Sequence, residues 1–497
     1  LERTVTSDSL PALWPILRRQ ARRGNLNASQ VFSLQRAFQQ KPNWKRLDRW
    51  LKPLLTEAVR ADDRQTAILQ TGIWLRQMRE FERAHHCLDL LNWRKARGQA
   101  FLQRGLVLQQ LNQIDAAQKA LRRSCRDGSS FAVASYHLGL LHRSTGEFDQ
   151  AARWLLRSLK RDANPAHVHT VLQYCRCSDD MLRPIVRFYE QLHRRHPERA
   201  LPLQQLSLYQ QRQGDLIQAG KTAQRSVRLE LGQRTSLLAD KDLAPTPPDF
   251  LVLGVPKGGT TSLFAWLREH PQIWGHPRKE LHFFDGDYHL GEAWYCAQFP
   301  RFQDGSGILR GEATPNVFSH PEAPARVTQL IPDVKTMVLL RDPLERAVSW
   351  VQHLQRLEGL EGSVESWLSQ ELESLQSLDA DTLARSGRIG TGALQDSLYD
   401  IHLQRWRSSL PSSQQLLVIS SERLFSQPSP QLSEVLGFLG LDSDPEPWMQ
   451  AWVARNVNPG RRSTLPKSLE SELRAFLQSH CQQSATETKE SPVGWFE

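Results

Sequence analysis

The sequence predicts an amino-terminal α-solenoid followed by an α/β domain with a central parallel sheet. Small and apolar residues recur at one fixed interval in the first half, and apolar strands alternate with helices after residue 249. A proline-rich stretch separates the two patterns. Because 497 residues exceed the size of a single core, we predict a helical repeat domain at 1–234, a linker at 235–248 and an α/β domain at 249–497.

The helical prediction depends on residues that recur at one spacing. Gly105 is followed by Gly139, and three further pairs share the same separation: Ala117 and Ala151, Leu121 and Leu155, Ser124 and Ser158. This separation is the period of tetratricopeptide (TPR) repeats. The pattern returns two periods later, for example from Gly146 to Gly214, so we expect a degenerate repeat between, around 184–197. Such units bury a shared core with their neighbours.

The charge of the chain is divided unevenly. Residues 1–240 carry 40 Lys and Arg against 21 Asp and Glu, whereas residues 241–497 carry 23 against 32. A basic helical half suggests an anionic partner, such as a polyanionic glycan, an acidic protein tract or a membrane surface. A basic but merely solvated surface explains the same composition, and a protein partner of the repeats is a further alternative. We expect no nucleic-acid partner.

The α/β prediction comes from three apolar stretches, at 250–255, 335–340 and 415–420, which alternate with helices that begin near residues 260, 343 and 397. This alternation is typical of a parallel sheet with helices on both faces.

The first strand leads into the segment Val255-Pro-Lys-Gly-Gly-Thr-Thr-Ser-Leu263. Glycines let a backbone approach a ligand closely, and a helix start offers unpaired amides and a favourable dipole for anions. We therefore expect an anion-binding loop in which Lys257 adds a cation. The other residues are two glycines and three hydroxyl residues: Gly258, Gly259, Thr260, Thr261 and Ser262.

A nucleoside-triphosphate loop is the competing interpretation. That motif places Lys directly after its second Gly. Here Thr260 occupies that position and Lys257 lies earlier in the loop. The spacing therefore disfavours a P-loop phosphotransferase.

A second candidate site follows the strand at 335–340. Arg341 stands at its carboxyl end, where ligands collect in open α/β sheets, and its planar guanidinium suits a phosphate. Pro343 marks the turn into a helix that carries Arg346 and Ser349. Arg346 is equally consistent with a structural ion pair.

Together these two segments resemble the sulfotransferases that use 3′-phosphoadenosine 5′-phosphosulfate (PAPS), over about residues 249–478. The resemblance implies a P-loop-like α/β sulfotransferase domain. It implies that V-P-K-G-G-T-T-S-L binds the 5′-phosphosulfate. It also implies that R-D-P-x-x-R-A-x-S binds the 3′-phosphate through Arg341 and Ser349.

The segment Pro277-Arg-Lys-Glu-Leu-His-Phe-Phe-Asp285 resembles K-E-x-H-F-F of heparan and related carbohydrate sulfotransferases. The resemblance implies that Glu280 is the general base and that Lys279 lies near the transferred group. We expect a raised pKa for Glu280 in a closed cleft, with His282 as the alternative base. Without the resemblance, the segment is equally a solvated charge pair beside a small core.

Further segments agree with the family in part. Gly311-Glu-Ala-Thr-Pro315 resembles G-E-x-T-P, but Ala313 stands where heparan-type members often have Lys, which puts a heparan-like acceptor in doubt. The helix with Tyr399 resembles one that faces the adenine. Arg461 and Arg462 are candidates for a basic loop over the nucleotide.

The resemblance predicts an enzyme that transfers a sulfuryl group from PAPS to a hydroxyl by in-line displacement, and no metal is required. A carbohydrate, a peptide tyrosine and a small molecule all remain open as acceptors. The alternatives from other classes are a phosphotransferase and a repeat scaffold with an inactive sulfotransferase-like domain.

No apolar run approaches the roughly 18 residues of a membrane span. The six cysteines have neither the density of a disulfide scaffold nor zinc-binding spacing. We read them as reduced and expect a cytoplasmic protein, although the chain begins at Leu1 and an upstream targeting segment is compatible with that start.

Overall fold

A computed structural model of the chain describes residues 26–27, 31, 54–232, 236, 238, 246–357, 360, 362–386, 390–442, 465–488 and 495. The chain divides into two compact units, with the division between Met181 and Leu182. The first unit is helical throughout its regular elements, and the second contains the sheet. The order of fold classes predicted from the sequence is confirmed. The boundaries predicted at 234 and 249 stay a prediction.

The regular elements described in the amino-terminal half are helices. The α-helices are α1 (Ala61–Gln77), α2 (Phe81–Leu88), α3 (Gly98–Gln110), α4 (Ile114–Ser124), α5 (Phe131–Ser144), α6 (Phe148–Arg161), α7 (Ala166–Gln173), α8 (Asp179–Arg195), α9 (Ala200–Arg212) and α10 (Leu216–Leu231). The pairs α1–α2, α3–α4, α5–α6 and α9–α10 pack as hairpins. The pair α7 and α8 occupies the place of the expected degenerate repeat.

Contacts inside the repeats recur at the period seen in the sequence. A Cβ on Gly105 would stand 2.6 Å from Leu121, and one on Gly139 would stand 2.7 Å from Leu155. Both glycines therefore permit the close approach of the two helices in a hairpin. The hydroxyls repeat too, since Ser124 donates to the carbonyl of Gly98 at 2.9 Å and Ser158 to that of Ala132 at 2.8 Å. Each small residue thus has a packing reason.

The last hairpin, α9 and α10, lies in the second unit. Val227 and Leu231 of α10 are buried in the same apolar cluster as Leu251 and Leu253 of the first strand. Burial of two such side chains contributes about 1.5–3 kcal/mol each. This hairpin is therefore part of the core of the sheet-containing unit.

The sheet has five parallel strands in the order β2-β3-β1-β4-β5 within the described chain. They are β1 (Phe250–Gly254), β2 (Ile273–Gly275), β3 (Leu309–Ala313), β4 (Lys335–Leu340) and β5 (Leu416–Ser420). The sequence predicted β1, β4 and β5. It missed β2, which has three residues, and β3, whose residues LRGEA lack an apolar run.

Helices cover the sheet on both faces. They are α11 (Thr260–Glu269), α12 (Glu292–Cys296), α13 (Ala323–Leu330), α14 (Pro343–Leu357), α15 (Val364–Gln376), α16 (Ala380–Arg385), α17 (Tyr399–Ser409), α18 (Ser421–Ser426), α19 (Pro428–Leu439), α20 (Lys467–Gln478) and α21 (Gln482–Glu487). Among the residues that the structure describes, no helix has the length and apolar character to cross a membrane.

Alternation along the strands explains the two layers. Leu251 and Val338 belong to one apolar cluster, whereas Val252 and Met337 belong to another. Successive side chains of a strand point to opposite faces, so each central strand is buried on both sides. The polar residues that follow the strands are thereby gathered at the carboxyl edge of the sheet.

Candidate active site

The carboxyl edge brings together the predicted segments in spatial order. The loop after β1 lies at the centre, Arg341 follows β4 on one side, and Ala313 ends β3 on the other. The Lys279–Glu280 segment follows β2, and the amide of Ala313 donates to the carbonyl of Lys279 at 3.2 Å. The edge therefore has a β4–β5 side and a β2–β3 side with the glycine-rich loop between them.

The glycine-rich loop turns sharply before α11. Lys257 adopts φ +71° and Gly259 φ +99°, both in the left-handed region, which is unusual for a lysine. The amide of Gly258 donates to the carbonyl of Val255 and that of Ser262 to Gly259. The expectation that the helix start offers unpaired amides is wrong for Ser262, because the first helical turn closes onto Gly259.

The anion-binding loop therefore offers different free amides from those that the sequence suggested. The amides of Gly259, Thr260 and Thr261 donate to no backbone carbonyl of the described chain. They stand at the positive end of the α11 dipole, where anions bind. The side chain of Thr261 is exposed, whereas Thr260 and Ser262 are buried. The loop is thus able to hold one anionic group with backbone donors.

Arg341 lies beside this loop. Its Nη1 donates to the carbonyl of Lys257 at 3.4 Å, and its Nη2 lies 3.6 Å from a carboxylate oxygen of Glu345. Ser349 is half-buried one turn beyond Glu345 on α14, so the two residues share a helix face. A second anion bound between Arg341 and Ser349 would therefore lie next to the first. The phosphate roles of both residues stay predictions.

Arg346 is a structural residue, and its described partners are a hydroxyl and carbonyls rather than the carboxylate of the expected ion pair. It is fully buried. Its Nε donates to the hydroxyl of Ser397 at 2.6 Å, and its other nitrogens donate to the carbonyls of Ala393 and Pro256. One guanidinium thus joins the start of α14 to the glycine-rich loop and to the segment before α17.

Tyr399 lies behind the edge. Its ring is fully buried between Phe318 and Trp495, and its hydroxyl donates to the carbonyl of Arg341 at 2.9 Å. Burial raises the pKa of this phenol well above its usual value. The observed contact orients the end of β4. The predicted contact with an adenine stays a prediction.

The β2–β3 side carries a chain of charged groups. Lys279 pairs with Glu280, whose other oxygen lies 3.6 Å from Nε2 of His282. Nδ1 of His282 bonds to Asp285 at 2.9 Å. The side chains of Glu280 and His282 keep 27% and 30% of their exposure. Glu280 is therefore reachable from solvent while held between two cations.

The charges set the protonation states. Burial alone would raise the pKa of Glu280, but hydrogen bonds from His282 and Lys279 and their positive charges lower it to about 2. Burial alone would lower the pKa of His282, but bonds to Asp285 and Glu280 raise it to about 10. The predicted raised pKa of Glu280 is wrong, because its two cationic partners outweigh burial. His282 is protonated at neutral pH and cannot accept a proton in this state.

The backbone of this segment is strained. Lys279 has φ +61° and His282 φ +56°. Left-handed conformations of residues other than glycine cluster at functional sites, where the surrounding structure enforces them. With Lys257, these are the residues of the described α/β region other than glycine that have positive φ. The strain thus coincides with three of the predicted catalytic positions.

Glu312 and Thr314 support this segment, and the sequence reading assigned neither of them a role. The amide of Leu281 donates to the Glu312 carboxylate at 3.3 Å and to the Thr314 hydroxyl at 3.1 Å. The hydroxyl of Tyr295 donates to Glu312 at 2.7 Å, and burial raises the pKa of this carboxyl. Their signal in the sequence was the G-E-x-T-P pattern itself.

Two other expectations concern the edges of the site. Ala313 is fully buried in β3, so its side chain presents no surface to an acceptor. Arg461 and Arg462 lie outside the described residues.

The arrangement joins two chemical functions. The loop and Arg341 can bind a phosphorylated ligand, and the neighbouring carboxylate of Glu280 can accept a proton from a nucleophile. Such a site suits group transfer between a nucleotide donor and a bound acceptor.

Comparisons with known proteins agree with this geometry. Residues 247–480 match the family model of the sulfotransferase domain, and residues 132–165 match a tetratricopeptide repeat. A stretch of 197 residues is 38% identical to mouse (Mus musculus) heparan sulfate glucosamine 3-O-sulfotransferase 3A1, covering 39% of this chain and 46% of the relative.

A second mouse relative, the bifunctional heparan sulfate N-deacetylase/N-sulfotransferase 4, is 31% identical over 265 residues, 47% of this chain and 28% of the relative. The chain thus spans less than half the length of these two curated relatives. A sulfotransferase crystal structure from Alicyclobacillus acidocaldarius aligns with a TM-score of 0.40 and 24% identity, over 51% of this chain and all of that one. From the family-model matches and the site geometry together, residues 247–480 of this chain are a sulfotransferase domain, which follows a tetratricopeptide repeat at 132–165.

Proposed function

We propose that the protein is a PAPS-dependent sulfotransferase that sulfates a carbohydrate, with Glu280 as the general base. The observation that carries this proposal is the juxtaposition at one sheet edge. Free backbone amides at 259–261 and Arg341 lie on one side, and an ionised carboxylate held by Lys279 and His282 lies on the other.

PAPS is the donor substrate in this proposal. Its 5′-phosphosulfate would bind at the start of α11, and its 3′-phosphate between Arg341 and Ser349. The free amides of the loop and the separate guanidinium of Arg341 support a nucleotide with phosphate groups at two positions. Lys257 would stabilise the negative charge that develops on the bridging oxygen as the sulfur–oxygen bond breaks.

The reaction needs one proton transfer. The acceptor oxygen attacks sulfur, a new sulfur–oxygen bond forms, and 3′-phosphoadenosine 5′-phosphate (PAP) leaves with the electron pair of the broken bond. The acceptor proton passes to Glu280. A carboxylate of low pKa is a weak base, so its partners must loosen as the acceptor binds. In this proposal Lys279 would leave Glu280 to neutralise a peripheral sulfate oxygen, which would raise the basicity of the carboxylate.

The acceptor class is argued from relatives and charge. The two mouse relatives are named as acting on heparan sulfate, and the basic first half suits an anionic polymer. We therefore favour an anionic glycan held by the helical half, despite Ala313. A protein partner of the repeats and a cytoplasmic location are further parts of the proposal.

Two measurements test the function. Calorimetry should show that PAP binds about ten- to a hundredfold more tightly than AMP, because a phosphate bonded to arginine contributes about 1.5–3 kcal/mol. Transfer of radiolabelled sulfate from PAPS should be found with glycans and abolished by Lys257→Ala. Equal affinity for PAP and AMP would refute the donor, and ATP turnover that needs magnesium would identify a phosphotransferase. PAP binding without transfer to any acceptor class would identify an inactive scaffold.

A further inference from the structure

One surface of the helical repeats is lined by side chains that carry hydrogen-bond donors. Polar and aromatic side chains bridge the alternate helices α1, α3, α5 and α7. Nε of Arg76 donates to Gln103 at 2.9 Å, and Nδ1 of His137 bonds to Gln109 at 3.0 Å. The ring centroids of Tyr136 on α5 and His167 on α7 lie 4.8 Å apart. We call this the ladder surface, defined by Arg76, Gln103, Gln109, Tyr136, His137 and His167.

The ladder surface is cationic. Helices α3, α5 and α7 contain no Asp or Glu, and the two Asp of α1 stand in its first turn, at the opposite end of the helix from Arg76. Burial, followed by the positive charges of Arg76 and His167, lowers the pKa of His137 to about 4. The imidazole of His137 is therefore neutral at pH 7, and Arg76 supplies positive charge beside it.

Arg143 is the exceptional residue of this surface. It lies two turns after Tyr136 on α5, on the same helix face, and its charge opposes the raised pKa that burial gives the Tyr136 hydroxyl. Only 9% of the residue is exposed, and among the described residues its Nε has no hydrogen-bond partner and its guanidinium has no ion-pair partner. Burying part of a cation without such partners is costly. An anionic group from a ligand would remove that cost.

The remaining groups indicate the chemistry of the ligand. The Oε1 atoms of Gln103 and Gln109 already accept bonds, so the amide nitrogens remain to donate. A surface of donors fits a ligand rich in acceptor oxygens, such as sulfate, carboxylate and hydroxyl groups. A peptide would bring backbone N–H groups that need acceptors. Val133 and Tyr174, exposed by 46% and 44%, lie on the same helix faces as Tyr136 and His167 and add apolar contact area.

We propose that the ladder surface and Arg143 bind an anionic oligosaccharide, with Arg143 paired to one of its sulfate or carboxylate groups. This inference rests on the proposed function for its biological meaning. Binding itself depends only on the first unit.

The test measures binding of a heparan sulfate octasaccharide to the full chain by calorimetry at low salt, without PAPS. We expect Arg143→Gln to weaken binding about tenfold, the effect of losing one charge-assisted hydrogen bond. The matched control is Arg153→Gln, which removes the same charge from an exposed position on α6 and should change affinity less than twofold. Without glycan, Arg143→Gln should melt no lower than the wild type, because it removes a buried Nε donor that has no partner among the described residues.

A second variant tests the same surface independently, in case Arg143→Gln fails to fold. Val133→Glu adds a negative charge to an exposed position of the same surface and should also weaken octasaccharide binding several-fold. Equal losses in the Arg143 and Arg153 variants would overturn the proposal in favour of unspecific charge attraction. So would Arg143-dependent binding of a glutamate-rich peptide in place of the octasaccharide. PAP affinity, measured on the same samples, separates the two failures, because it reports on the proposed donor site alone.

Discussion

The two sides of the carboxyl sheet edge are built in different ways. The donor side, between β1, β4 and β5, uses backbone amides of one continuous loop and an arginine at a strand end. The acceptor side, between β2 and β3, uses charged side chains that neutralise one another and are held by Glu312 and Thr314 from another strand. The first is set by local geometry, whereas the second depends on a network.

This difference separates binding from chemistry. Backbone donors at a helix start are ready for an anion and need no rearrangement. Glu280, by contrast, is ionised but weakly basic while Lys279 and His282 contact it. We infer that the donor side binds its ligand in the resting state and that the acceptor side becomes active when a substrate alters its ion pairs.

The largest expected effect is a loss of catalytic rate when the acceptor side alone is changed. Glu280→Gln should lower kcat by about 10² to 10⁴, the contribution of general-base catalysis, and leave PAP affinity within twofold of the wild type. Steady-state rates and calorimetry measure both quantities. Glu292→Gln, at an exposed position on α12, is the control and should be silent. If Glu280→Gln keeps more than about a tenth of the activity, the proton acceptor is another group.

The next effect concerns the helical support of the acceptor side. Gln211 at the end of α9 donates to Asp287 at 3.0 Å, and Leu231 of α10 is buried in the core. We expect Leu231→Ala to lower the free energy of unfolding of this unit by about 2–5 kcal/mol, measured by urea denaturation. A fragment that begins at Pro245 should be less stable than one that begins at Leu182, although both contain every predicted donor residue. Equal stability of the two fragments would show that the hairpin is dispensable.

A smaller effect is expected on nucleotide selectivity when the donor side is changed. Arg341→Ala should reduce the preference for PAP over AMP by about ten- to a hundredfold, because it removes a charge-assisted bond to the 3′-phosphate of about 1.5–3 kcal/mol. Calorimetry with both nucleotides gives the ratio directly. Arg407→Ala, which removes an arginine paired with Glu487, is the control. A lower affinity for both nucleotides by the same factor would assign Arg341 to the shared 5′-phosphate instead.

The smallest effect is the pH dependence of the network. Glu280 has a lowered pKa, so its stabilising contribution is present above about pH 4.5 and is lost as the pH falls through about 2. His282 has a raised pKa, so its contribution is complete below about pH 6.5 and is lost as the pH rises through about 10. Asp285→Asn should lower the pKa of His282, which an NMR titration of its ring protons measures. An unchanged pKa would mean that Asp285 does not stabilise the imidazolium.

Part of this site could be predicted because its signals are contiguous. The loop Val255–Leu263 combines strand end, glycines, lysine and helix start in one short segment, and its donor geometry depends mainly on those residues. The repeats could be predicted as well, because Gly105 and Gly139, one repeat period apart, both permit the close approach of two paired helices. The three predicted strands have continuous apolar runs, whereas β2 and β3 lack such runs.

The rest was decided by contacts between distant segments. Arg346 became structural because Ala393 and Ser397, far along the chain, accept its hydrogen bonds. Glu280 has a lowered pKa because Lys279 and His282, although near in sequence, contact it from a left-handed backbone that the distant Glu312 and Thr314 hold through the amide of Leu281. Local sequence therefore determined where anions can bind, since amides and helix dipoles belong to a single segment. Only tertiary structure determined the protonation states, because a buried charge responds to every group that surrounds it.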